Sequence, residues 1–113
     1  MVINGVELEF NLYDAEAEQM KKRYFKELEK MKNISEEQSK FEDEAEGIKF
    51  LCGRIKSLFD NVFGEGTGAK VCTEKDDLLI CMDAYEKLIG EQMSQQNRYN
   101  AVLRRMRRRK IRK

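Results

Sequence analysis

The chain has 113 residues, of which 38% are charged and 41% apolar, with no proline, tryptophan or histidine. That size fits one domain around a single modest core. The lack of histidine excludes Ser-His-Asp and Cys-His catalysis and imidazole metal ligation, and the apolar runs are too short to cross a bilayer.

The residues at the start, Met1-Val2-Ile3-Asn4-Gly5, show neither the basic n-region nor the apolar h-region of a signal peptide, so a cytoplasmic location is expected. Cys52, Cys72 and Cys81 are odd in number and lack CxxC spacing, which reads as reduced, partly buried thiols.

A net charge of +1 hides a segregation. From Arg98 onward there are nine Lys or Arg and no acid, whereas residues 1–97 hold thirteen basic and twenty-one acidic residues, a net of −8. The densest acidic stretch is residues 36–46, with Glu36, Glu37, Glu42, Asp43, Glu44 and Glu46. Blocks of one sign are often interaction surfaces. An acidic body with a basic end suits head-to-tail self-association that weakens with salt.

In chain order, residues 2–10 predict a hairpin. Asn4-Gly5 favours a type I′ turn, and Val6, Leu8 and Phe10 alternate with Glu7 and Glu9. Two short strands need a helical support or another chain. Asp14 is a suitable N-cap for an amphipathic helix carrying Ala17, Met20, Tyr24, Leu28 and Met31 and ending near Asn33. Ser35 with Gln38 reads as a capping box opening the longest helix, whose apolar face runs through Phe41, Ile48, Ile55 and Val62. Gly64 is placed to end that helix as a left-handed residue. Thr73 reads as the N-cap of a third helix through Leu78, Cys81, Tyr85 and Leu88. Gly90 is a candidate break before a fourth helix carrying Met93, Tyr99, Val102 and Met106.

The chemical motifs are incomplete. Gly64-Glu65-Gly66-Thr67-Gly68 lacks the lysine and the preceding strand of a phosphate loop, and its glycines miss dinucleotide-fingerprint spacing, so it reads as a helix connector. The carboxylates show neither convergent pairing nor EF-hand spacing. A catalytic cysteine would lack its histidine base. No catalytic residue, cofactor or metal ligand is assigned, and the protein is expected not to be an enzyme.

Three segments carry a family resemblance. Val2 to Phe10 (VINGVELEF) resembles the opening hairpin of small tailed-phage proteins. Ile55 to Gly68 (IKSLFDNVFGEGTG) is similar to a helix-end signature of phage and prophage proteins of Gram-positive hosts, and Leu78 to Ile89 resembles the apolar helix after it. Together, over residues 2–90, they resemble the phage tail-assembly chaperones; the arginine-rich end has no counterpart. The resemblance implies binding to the helical tape-measure protein, recruitment of tail-tube subunits, and in some members a longer frameshifted product.

The combined expectation is a mainly α protein: an N-terminal β-hairpin followed by a three- to four-helix bundle over residues 1–97, with a basic helix or tail over 98–113. Phe59, Phe63, Gly64, Gly66 and Gly68 are the candidate partner surface. Arg104, Arg105, Arg107, Arg108 and Arg109 are candidates for steering an acidic partner. Two alternatives stay open: a nucleic-acid-binding regulator acting through the basic end, for which Tyr99 is the only aromatic available for stacking there, and a structural adaptor of the virion.

Overall fold

The computed structural model describes residues 1–111. It is mainly helical, with an N-terminal antiparallel hairpin, β1 (Val2–Ile3) and β2 (Val6–Glu7), followed by five helices: α1 (Glu18–Lys30), α2 (Ile34–Gln38), α3 (Glu44–Phe63), α4 (Thr67–Cys72) and α5 (Leu78–Ile111). Residues 112–113 of the expected basic extension lie outside the described residues.

The hairpin forms as its turn chemistry requires. Asn4 and Gly5 both have positive φ, 49° and 82°, and Val2 pairs with Glu7 and Ile3 with Val6. Asn4 also fixes the hairpin to the helices. Its Nδ2 donates to the Val71 carbonyl at 2.7 Å, and its Oδ1 accepts from Lys87 Nζ at 3.1 Å. The support that two strands lack is therefore supplied by α4 and α5.

Asp14 caps a short 3-10 turn, Ala15–Ala17, that leads into α1, and its side chain accepts from the Glu16 N–H at 2.9 Å. Helices α1 and α3 run antiparallel: Arg23 Nη2 donates to the Val62 carbonyl, and Arg54 Nη2 donates to the Lys30 carbonyl. Glu27, buried between them, is held by Lys30 Nζ at 2.8 Å and Asn61 Nδ2 at 3.2 Å, which meets the need of a buried carboxylate for partners. Helices α3 and α5 run in the same direction. Cys81 near the start of α5 lies beside Cys52, while Gln95 reaches the carbonyl of Phe10, whose ring lies 5.8 Å from that of Phe63 at the end of α3.

The core joins Ile3, Phe10 and Leu12 from the N-terminal segment to Tyr24, Ile55, Leu58, Phe59, Val71 and Leu88 from the helices. The Tyr24 ring meets Phe10 edge-on at 4.9 Å, and its hydroxyl donates to Gln92 Oε1.

Several expectations are corrected. Ser35 does not open the longest helix: it lies inside α2, and α3 begins nine residues later, where Asp43 Oδ1 accepts from the Ala45 N–H at 3.1 Å. The split has a packing reason. Gly47 leaves a space that Gln38 of α2 occupies, its Nε2 lying 3.0 Å from where a Cβ would stand. Thr73 is not a cap; it has φ 67°, and Asp77 caps α5 through the N–H groups of Leu79 and Ile80. Gly90 does not break the chain into a third and a fourth helix. The longest helix is α5, 34 residues running unbroken through Gly90 and the expected boundary at 97/98, and the two short helices α2 and α4 were not anticipated.

Candidate functional site

The Gly64–Gly68 segment is the joint between α3 and α4. Gly64 has φ 118° and Gly66 φ 92°, conformations that favour glycine. Asp60 ties the joint from both sides: its carbonyl accepts from the Gly64 N–H, and its Oδ1 accepts from the Gly68 N–H at 2.7 Å. A Cβ on Gly68 would stand 2.4 Å from the Lys56 carbonyl oxygen, so this glycine permits the close approach of α4 to α3. Phe59 is fully buried and belongs to the core, which corrects its candidacy as partner surface. Phe63 is half-buried against Phe10 and Phe59.

The three cysteines, far apart in sequence, meet inside the core. Cys81 of α5 lies between Cys52 of α3 and Cys72 of α4, close enough for each thiol to perturb its neighbour. All three are free and buried. Burial is the main cause that pushes the Cys52 thiol up to about 12 and that of Cys81 to about 11, and it raises Cys72 as well. Thiols so protonated are poor nucleophiles. Among the described residues no group of three or more Cys, Asp or Glu side chains is arranged to hold a metal ion.

Two exposed surfaces of opposite charge stand at the ends of a molecule measuring 64 × 28 × 22 Å. At one end, α5 leaves the body. Tyr99 stacks on Tyr13 at 4.2 Å, with Lys21 Nζ above the Tyr13 ring at 4.4 Å, and Val102 completes an open hollow with Phe10 and Gln95. Beyond it Met106 is 59% exposed, and Arg104, Arg105, Arg107, Arg108 and Arg109 are all exposed. Among the described residues no side chain beyond Arg98 makes an ion pair or a hydrogen bond; Arg98 itself reaches Glu91 at 3.2 Å. Tyr99, Val102 and Met106 share one helical face at spacings of three and four.

The opposite end carries the acidic stretch. The start of α5 lies beside the middle of α3, where Lys56 Nζ reaches the Lys75 carbonyl at 2.8 Å and Asp76 at 3.2 Å, so the acidic stretch before α3 stands beyond it. Glu36, Glu42, Asp43, Glu44 and Glu46 are exposed, and in this stretch only Glu46 forms an ion pair among the described residues, with Lys49 at 3.6 Å. One apolar residue stands among these acids, and another lies apart from them at the start of α5. Phe41 is 41% exposed beside Phe50, and Leu79 is 83% exposed between Asp77 and Asp83. Neither was singled out from the sequence as a surface group. Leu79 had a signal, since it falls outside the stripe of Leu78, Cys81, Met82, Tyr85 and Leu88. Tyr13 had none, because its partner lies 86 positions away.

The model of a family described as family of unknown function (DUF6673) matches residues 4–113. No curated protein and no solved structure matches the chain.

Proposed function

The chain belongs to the DUF6673 family of unknown function, and from that premise we propose that it is a non-enzymatic phage tail-assembly chaperone, working in the host cytoplasm, that binds the helical tape-measure protein and helps recruit tail-tube subunits. The observation that carries this reading is the exposed apolar stripe that continues from Tyr99, stacked on Tyr13, through Val102 and Met106 on the part of α5 that leaves the body. An apolar stripe on a helix bordered by arginines suits a long helical client whose own apolar face would aggregate if left bare. The arginines would attract acidic segments of that client and speed encounter more than they tighten it. The sequence resemblance supplies the phage context.

The test is co-expression with a candidate tape-measure protein. The full chain should raise the soluble fraction of the client several-fold, and a chain ending at Asn97 should not. The chaperone should also be missing from finished tails. Unchanged client solubility would overturn the reading, and recovery of the protein from finished particles would replace it with a virion adaptor.

A second reading rests on the five exposed arginines between positions 104 and 109, which suit a phosphate backbone. Salt-dependent RNA or DNA binding that disappears on truncation at Asn97 would favour it. Against it stands the acidic body, which repels a long polyanion.

A further inference from the structure

We propose that the two ends of this molecule bind each other between copies: the arginine-bearing end of α5 in one copy seats on the acidic end of another, formed by residues 36–46. This contact concerns the protein alone and stands or falls separately from the chaperone reading.

Three observations lead to it. The first is polarity. Helices α3 and α5 share a direction, so the acidic segment before α3 and the basic end of α5 sit at opposite ends of a 64 Å molecule. Helix α5 is continuous from Leu78 to Ile111, so its tip does not fold back onto the acids of its own chain. Only another copy brings the two charges together.

The second is that both ends are electrostatically unsatisfied. Arg104, Arg105, Arg107, Arg108 and Arg109 make no ion pair among the described residues, and neither do Glu36, Glu37, Glu42, Asp43 and Glu44. Elsewhere some surface charges are paired, as in Lys22–Glu18, Lys32–Glu29 and Lys87–Asp83.

The third is that each end has an apolar centre within its charged rim. Val102 and Met106 are 42% and 59% exposed; Arg105 and Arg109 follow Val102 by three and seven residues and so border the same face. Phe41 stands among carboxylates at the other end, 41% exposed. Apolar centres with complementary rims are the ordinary anatomy of a protein interface. Like ends repel, so every contact joins unlike ends, and each copy gives one tip and one acidic end. A client helix on the Val102–Met106 stripe would compete with this contact.

The experiment is sedimentation velocity on the full chain, nuclease-treated, at low and high salt. Association at low salt should weaken about tenfold or more on raising salt to several times the physiological level, because the contact is largely between exposed charges. Two variants sharpen it. One neutralises the tip (Arg105→Gln, Arg107→Gln, Arg109→Gln), the other the acidic end (Glu36→Gln, Glu42→Gln, Glu44→Gln). These are surface positions, and circular dichroism should match the parent. Each variant alone should be monomeric. Mixed, they retain one intact tip and one intact acidic end and should form a 1:1 heterodimer that grows no further. A wild-type chain that stays monomeric at low salt, a neutralised variant that still self-associates, a mixture that stays monomeric, or association seen only before nuclease treatment would each overturn the proposal.

Discussion

The two halves of α5 obey the same sequence rule and meet opposite fates. In the first half Cys81, Ala84 and Leu88, at spacings of three and four, are fully buried beneath α3 and α4. In the second half Tyr99, Val102 and Met106, with the same spacing, stand largely exposed. Helical periodicity records that a face is apolar. Whether that face is covered depends on how far the other elements reach along it. Here the cover ends at Tyr13, and the rest of the helix carries its apolar stripe into solvent.

This contrast can be broken most directly by truncating one residue in each half. Leu88→Ala should destabilise the protein by about 3 kcal/mol, as a large-to-small change in a filled core does. Met106→Ala should move stability by less than about 0.5 kcal/mol. Urea unfolding of both variants checks this, and equal losses would mean that the outer half is packed in solution.

Gly68→Ala comes next. Its methyl would press on the Lys56 backbone, where no flexible side chain can yield, so a loss of about 2 kcal/mol is expected. Gly53→Ala, which meets nothing within 4 Å, is the matched control and should be neutral or stabilising. Removal of a cap should cost less: Asp77→Ala and Asp43→Ala should each lose about 1 kcal/mol in the same assay.

The effect of the thiols is absent at neutral pH and should appear only in alkali. Their folded pKa values lie above the ordinary 9.0, so the stability they hold is complete below that pH and is lost as pH rises through about 11 and about 12. The melting temperature of wild type should therefore fall more steeply above pH 9 than that of a Cys52→Ala, Cys81→Ala variant. At neutral pH none of the three thiols should react with a disulfide reagent until the protein unfolds. Reaction of a native thiol within seconds would place that thiol at the surface.

Much of the fold was legible because its signals are local. The Asn4-Gly5 turn, the Asp14 cap, the stripe of α1 and the glycine ending α3 depend on neighbours within a few residues. The signals that failed are those with a rival nearby. Ser35 and Gln38 offer a capping box, yet Asp43 caps the long helix because α2 folds back over Gly47. Thr73 looks like a cap, but the positive φ it takes after α4 leaves the role to Asp77. In the candidate surface the arginines were readable from charge alone. Phe59 was misplaced because one apolar residue in a rich stripe looks like another until α4 closes over it.

The sequence by itself determined the helical class, the opening hairpin and the separation of acidic from basic charge, since each follows from residue type and short-range spacing. The tertiary structure decided which apolar stripe is covered, that Cys52, Cys72 and Cys81 meet, and that the unlike charges lie at opposite ends. These facts depend on the relative directions of α3 and α5 and on the close approach of α4 at Gly68, contacts between residues distant in the chain that no local pattern encodes.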